Sequence, residues 1–312
     1  MAGLKSLDPS NIEAYLFFEL TKQMTDGDAG WVNDVAGPVI DSDEEKETYA
    51  GVGAVPRMRK MNGKRAADDL LGLSVAITSE TFEATLRVRR KEIRRDKTGQ
   101  VQRRVGELIQ NSEMHWEEML IDDIKTNTKL GYDLKPLFST THKVGRSAVQ
   151  SNSLTRAGGA VPDASMFEDA IWIATRALKE FTDDVSRPVN RGKNSLVLLI
   201  PPAFNKAAAG ALKAEVILSG GQASTNVLVV AQNYTFRVVE SADLGWTDKF
   251  ALFYADGKSM IRQQEQDSFY VETKGPGSDY AFDNAAYEFG VMVDRGSGPG
   301  RWQSAVQLQF TA

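Results

Sequence analysis

Residues 81–99 read TFEATLRVRRKEIRRDKTG, and the fold turns on how this stretch is parsed. Phe82, Ala84, Leu86 and Val88 alternate with polar residues, the period of two of a half-buried strand. Leu71, Leu73, Val75 and Ile77 alternate in the same way just before it. On this reading the basic run continues the second strand and DKTG supplies a turn. Val101, Val105, Leu108, Ile109, Ser112, Trp116, Leu120 and Ile124 then mark one face of a helix ending about Asn127, roughly 40 Å long at 1.5 Å per residue.

Within residues 87–99, seven basic side chains face two acidic ones, a net charge of +5 in a chain whose formal net charge is −5. Such a patch invites a nucleic-acid reading. Acidic segments flank it, however. DSDEEKE at 41–47 has a net charge of −4, and Glu113, Glu117, Glu118, Asp122 and Asp123 lie on the solvated side of the long helix.

The chain has 312 residues, 42% hydrophobic and 25% charged, enough to bury a sizeable core in one large domain or two or three smaller ones. It has no cysteine, which excludes disulfides, thiolate nucleophiles and thiolate metal sites. The longest apolar runs, SLVLLI at 195–200 and VLVVA at 227–231, fall far short of the roughly 20 residues of a membrane helix. MAGLKSLDPSN lacks the apolar stretch of a signal peptide, so synthesis in the cytoplasm is expected and no membrane partner.

Ser10 and Glu13 form a capping box, and Ile12, Tyr15, Leu16, Leu20 and Met24 recur at helical spacing up to Asp26 and Gly27. From Gly30 to about Gly63 no period is sustained, which suggests an extended arm. Polar, turn-rich sequence from Gly131 to Leu154 and TRAGGAVPDAS mark a break. After it, Asp163 or Ser165 caps a helix with Phe167, Ala170, Ile171, Ala174, Leu178 and Phe181 on its buried stripe. SLVLLI is a short buried strand, FNKAAAGALKAEV a helix, and further strands are expected at 226–240, 248–255 and SFYVET. The last stretch, from Ala285 on, reads as two long strands joined by a Gly-rich turn.

This order of elements resembles the HK97-type capsid fold of tailed bacteriophages, and several stretches resemble the Mu-like major head subunits of the gpT type. They are TYAGVGAVPRMRKMNGKR at 48–65, TFEATLRVRRKEIRRDKTG, YDLKPLFSTTH with the following NSL, LVLLIPP and the closing GPGRW, spread over about residues 10–305. The resemblance implies an α+β capsid fold. Residues 1–49 would be an N-terminal arm with its short helix and 50–81 an extended β-hairpin loop lying on an adjacent subunit. Residues 82–162 would form a peripheral domain with a spine helix at 101–127 and a strand at 82–95, and 163–255 an axial α/β domain. Strands in 256–312 would return to the peripheral domain.

The function implied is that of a major capsid protein assembling, as pentamers and hexamers, into the icosahedral head around double-stranded DNA. The expected partners are the chain itself, scaffolding, portal and decoration proteins, and packaged DNA held non-specifically on the inner face. The expected locations are the virion and, during assembly, the host cytoplasm. With the capped helix within about ten residues of Met1, a scaffold would be a separate chain or one already removed. Two other readings stand beside this one: a nanocompartment shell on the same fold, enclosing an enzyme cargo, and an α/β enzyme.

Two roles are open to the basic run. Arg87, Arg89, Arg90, Arg94 and Arg95 could neutralise packaged DNA, since phosphate contacts need only charge. Alternatively they pair with acidic segments of the same or neighbouring subunits, with Asp43, Glu44 and Glu45 and the helix carboxylates as partners. Pairing is favoured, because a shell needs register and complementary charge supplies it.

Catalytic and cofactor chemistry has little to build on. His115 and His142 lie on different elements with no HExxH, so no metal or cofactor set is expected. His115 with Glu118 reads as a solvated i, i+3 pair, and His142 as a loop hydrogen-bonder. GSGPG at 296–300 reads as a hairpin turn. RGKNS at 191–195 lacks the upstream glycine and following helix of a phosphate loop, and no GxSxG occurs. Trp116, Trp172, Trp246 and Trp302 read as core or interface anchors.

Overall fold

The computed structural model describes residues 30–52, 72–95, 100–159, 161–219, 222–231, 233–266 and 268–311. The expected helix from Ser10 to Met24, the tip of the expected extended loop at 53–71 and the DKTG turn lie outside the described residues. The first elements among the described residues are α1 (Trp31–Ala36), β1 (Ile40–Ser42) and β2 (Lys46–Val52), where the sequence sustains no period. Next come β3 (Gly72–Thr78), β4 (Glu80–Arg89), α2 (Arg90–Arg95) and α3 (Gln100–Thr126), then β5 (Ser153–Ala157) and α4 (Ala164–Glu180). The chain continues through β6 (Ser195–Ile200), α5 (Asn205–Lys213), β7 (Val216–Ser219), β8 (Gln222–Thr225), α6 (Val227–Ala231), β9 (Thr235–Glu240) and β10 (Lys249–Tyr254). It closes with β11 (Met260–Glu265), β12 (Tyr270–Lys274), α7 (Asp279–Asn284), β13 (Ala286–Pro299) and β14 (Ala305–Thr311).

Two five-stranded sheets organise these elements. The second has the order β5-β14-β10-β6-β9 and is covered on both faces. Leu196, Leu198 and Ile200 of β6 pack with Phe167, Ile171 and Leu178 of α4. Val197 and Leu199, pointing the other way, pack with Trp31 and Val35 of α1 and with Leu120 and Ile124 of α3. Burial on both faces is why β6 reads as an unbroken apolar run and not as an alternation. Asp163 caps α4 as expected, its carboxylate accepting from the Met166 N–H at 2.8 Å.

In the first sheet β13 is the long central strand, paired antiparallel with β4 over Ala286–Arg295 and with β11 and β12; β1 adds in parallel beside β11. Its core is made by Val88, Phe289 and Val291 against Val101, Val105 and Ile109 of α3. The long helix therefore packs its first half on one sheet and its second half, from Trp116 on, on the other. Its 27 residues extend about 40 Å. Asn127 ends it in the left-handed conformation (φ 50°), its side-chain amide exchanging two hydrogen bonds with the Phe138 backbone.

Four expectations are corrected. The basic run does not continue β4: the strand ends at Arg89, and Arg90–Arg95 turn as α2 because the Arg89 N–H donates to the Glu92 carboxylate (3.2 Å), half of a capping box. VLVVA is helical, since the Asn226 side chain accepts from the Leu228 N–H (3.1 Å) and so caps α6. GSGPG is no hairpin turn: Gly296–Pro299 belong to β13, paired with β11. Finally, β13 and β14 enter different sheets. After the elbow at Trp302–Ser304, β14 inserts between β5 and β10, so of the C-terminal strands β11, β12 and β13 stand with β4 and β14 does not.

Candidate assembly surfaces

β2 and β3 form a two-stranded antiparallel ribbon, Lys46 opposite Thr78 and Val52 opposite Gly72. A lone two-stranded ribbon is marginal in water, and here its root is tied down. Val75 and Ile77 are buried. Ile77 lies over β13, so close that a Cβ on Gly296 would meet its Cγ2 at 3.0 Å and one on Gly298 its Cδ1 at 3.2 Å. Gly51 lies under the Tyr132 ring, where a Cβ would come within 2.7 Å. The Tyr49 hydroxyl donates to Gln263 Oε1 (2.8 Å), and the Gln263 amide donates to Ser79 Oγ (2.9 Å) and to the Ile77 carbonyl (3.3 Å). Burial first, then Glu47 and Tyr132, push the Tyr49 phenol up to about 12. Strand residues outside this root, such as Thr48, Ala50, Ser74 and Ala76, are exposed or half-buried.

Arg87, Arg89, Arg90, Arg94 and Arg95 lie on the surface, as do Asp43, Glu44 and Glu45. They are not brought together. Arg89 stands opposite Ala286 at one end of β13. The acidic turn is held at the other end, where the Ser79 N–H donates to the Glu45 carbonyl (2.7 Å), next to Glu80 opposite Arg295. The ten residues of β4 between these points span about 30 Å. Within the basic region, Arg87 lies over the Tyr280 ring (5.8 Å), Arg90 over Tyr287 (5.5 Å), and Glu92 pairs with Arg104 (3.7 Å). Of the helix carboxylates, Asp123 is engaged internally by Lys129 (2.7 Å) and Ser297 (2.6 Å), and burial raises its pKa.

The residues considered for chemistry serve packing. His115 is not a solvated partner of Glu118. Its ring stands edge-on to Phe82 at 4.4 Å and its Nδ1 accepts from the Arg295 guanidinium (3.1 Å); burial, then Arg295, hold its pKa down at about 4. Arg295 and Arg262 both lie against Trp116, 4.8 and 5.3 Å from the ring centroid, at the middle of α3. His142 is a buried loop hydrogen-bonder, with Nδ1 2.7 Å from Asp133 and its ring stacked on Trp302 at 4.3 Å. In RGKNS, the Lys193 amine donates to Asp256 (2.6 Å) and to the Asn190 side-chain carbonyl oxygen (2.8 Å). Among the tryptophans, Trp31, Trp116, Trp246 and Trp302 are buried; Trp31, in α1, carries no sequence signal that marks it as a core residue. Among the described residues there is no group of three His, Asp or Glu that could hold a metal ion, and no helix long and apolar enough to cross a membrane.

An exposed feature that the sequence does not signal is Phe282 on α7, 85% accessible. No periodicity marks it, because a six-residue helix is too short to show one. Val216, Leu218, Val227 and Val230 also leave apolar surface exposed around β7 and α6.

No curated protein matches this sequence. The structure is similar to the capsid protein of bacteriophage JBD30 (18% identity, TM-score 0.55, 71% of this chain and 95% of that one). It is also similar to that of cyanophage P-SCSP1u (13%, 0.55, 88% and 85%) and to a virus-like particle from Pyrococcus furiosus (12%, 0.53, 95% and 98%). At these identities the likeness establishes the fold, an HK97-type capsid fold. The family described as Mu-like prophage major head subunit gpT matches residues 17–167, the span that contains the ribbon, the basic run and α3. Over that span, just under half of its length, the chain is similar to the Mu-like major head subunits, and the capsid fold extends the likeness to the rest of the described chain.

Proposed function

We propose that the protein builds the icosahedral head shell by self-assembly as pentamers and hexamers, enclosing double-stranded DNA. The observation that carries this is the family match over residues 17–167. Family and fold point to a structural protein and away from an enzyme. In this reading residues 50–81 are the loop laid on an adjacent subunit, with the ribbon root as its fixed base. The sheet carrying β4 and β13, backed by the first half of α3, is the peripheral part, and residues 163–255 are the axial part, with β14 completing the axial sheet. The protein resides in the virion and, during assembly, in the host cytoplasm. Scaffolding, portal and decoration proteins are its further partners, and packaged DNA meets the inner face without sequence readout.

The basic run and the acidic turn serve contacts between subunits, because about 30 Å of strand separates them within one chain. Elements that cannot close on their own subunit gain by burying area on another, and closed symmetry repeats the gain at every copy. Negative-stain electron microscopy of the protein expressed alone, beside its size-exclusion profile, tests the shell reading. Shells, tubes or discrete pentamers and hexamers are expected. A monomer that stays so even with its scaffold overturns it.

A further inference from the structure

The first sheet is charge-polarised along its strands. β4 starts with Glu80 and Glu83 and ends with Arg87 and Arg89, and each end is reinforced by its surroundings. At the acidic end the Asp43–Glu45 turn crowds Glu265, whose pKa is raised by burial and then by Asp294 and Glu45. At the basic end, α2 adds Arg90, Arg94 and Arg95.

The basic end also carries an apolar knob. α7 is capped by the Ser278 hydroxyl, which accepts from the Ala281 N–H (3.2 Å), and is stopped by Ala285 in the left-handed conformation (φ 46°). Its only buried side chain is Ala281, which leaves Phe282 in water at 85% exposure. The Ala285 carbonyl accepts from the Arg90 N–H (3.0 Å), so Phe282 and the basic run share one ledge. At the acidic end the matching apolar group is Ile40, 40% exposed, directly before Asp41.

Resting on the shell reading, we propose that the Phe282 ledge receives the Ile40–Glu45 segment of a second copy. The sheets then meet head to tail: Phe282 packs on Ile40, and Arg89 and Arg90 face Glu44 and Glu45. Such a contact joins two different patches, so it propagates from copy to copy and closes only through the rotation between them. An aromatic anchor surrounded by complementary charge has the make-up of an interface hot spot. Phe282 favours a protein partner over a polyphosphate, which offers no apolar group to cover the ring.

The test uses two full-length surface variants, Arg89→Glu/Arg90→Glu and Glu44→Arg/Glu45→Arg, assembled separately and as an equimolar mixture, beside Phe282→Ser and the wild type. Each charge variant alone places like charges in every contact, and about a tenfold loss of particles by electron microscopy and light scattering is expected. In the mixture alternating copies meet their complements in even rings, while a five-membered ring keeps one like-charge contact, so particle yield should recover in part. Phe282→Ser should raise the protein concentration needed for assembly about tenfold. Charge variants that assemble normally overturn the contact, and they assign the basic run to DNA if they lose only retained nucleic acid. A mixture that does not recover, or a Phe282→Ser chain that assembles like the wild type, also overturns it. Wild-type shells in the same experiment keep the shell reading standing whichever way the contact falls; a wild-type chain that never assembles overturns both.

Discussion

Ile77 of the ribbon rests against Gly296 of β13, leaving no room for even one carbon between them: a Cβ on Gly296 would lie 2.7 Å from the Thr78 carbonyl oxygen and 3.0 Å from Ile77 Cγ2. The glycine-rich end of β13 is thus a seat for the ribbon. Gly296→Ala should push the ribbon root off the sheet, at a cost of about 1–3 kcal/mol for overpacking. Urea denaturation should show the loss, and limited proteolysis should show faster cleavage in the ribbon. Unchanged stability and protection would mean that the seat yields freely.

Gly106 is the counter-example. It lies inside α3, and a Cβ added there would meet nothing within 4 Å. Gly106→Ala should stabilise the protein by about 0.5–1 kcal/mol through helix propensity alone. The thermal midpoint should rise, and a fall would reveal a contact on that face made only by a neighbouring subunit.

Asn226 is wholly buried between two helices. Its amide donates to the Ala211 carbonyl (2.6 Å) and the Ala214 carbonyl (2.8 Å) at the end of α5, while its Oδ1 accepts from the Leu228 N–H at the start of α6. Asn226→Ala removes a cap and leaves buried carbonyls unpaired, so a loss of about 2–3 kcal/mol is expected in equilibrium unfolding. Asn226→Asp should not rescue it, because a carboxylate cannot donate to either carbonyl.

How much of the fold is legible depends on where the information sits. β6, α3 and α4 are readable because burial imposes a period, or its absence, on many consecutive residues: SLVLLI is apolar throughout because both faces are covered. VLVVA misleads because five apolar, β-branched-rich residues fit a strand equally well, and one buried asparagine decides otherwise. RRKEIRR carries almost no apolar residues, so only Glu92, three positions after Arg89, could announce the helix. GSGPG looks like a turn because Gly296 and Gly298 are demanded by Ile77, some 220 positions earlier, and Gly300 by the Lys258 carbonyl, and no local rule reports such distant neighbours. For the assembly surfaces, the basic and acidic segments are visible as charge runs. That they occupy opposite ends of one sheet follows only from the pairing of β4 with β13.

His115 makes stability depend on pH. In the folded chain its pKa is held down at about 4, against an ordinary value of 6.5, by burial and then by Arg295, whose guanidinium donates to its neutral Nδ1. As pH falls from about 6.5 towards 4, the unfolded chain binds a proton at this site that the folded chain refuses. Stability therefore declines through that window and is fully present above it. Discounted for the exposed part of the ring, the contribution is about 1–2 kcal/mol. His115→Gln keeps an acceptor for Arg295 but cannot titrate. Unfolding free energies measured between pH 7 and pH 4 should fall more steeply for the wild type than for this variant. Parallel slopes would mean that His115 titrates alike in the folded and unfolded chains.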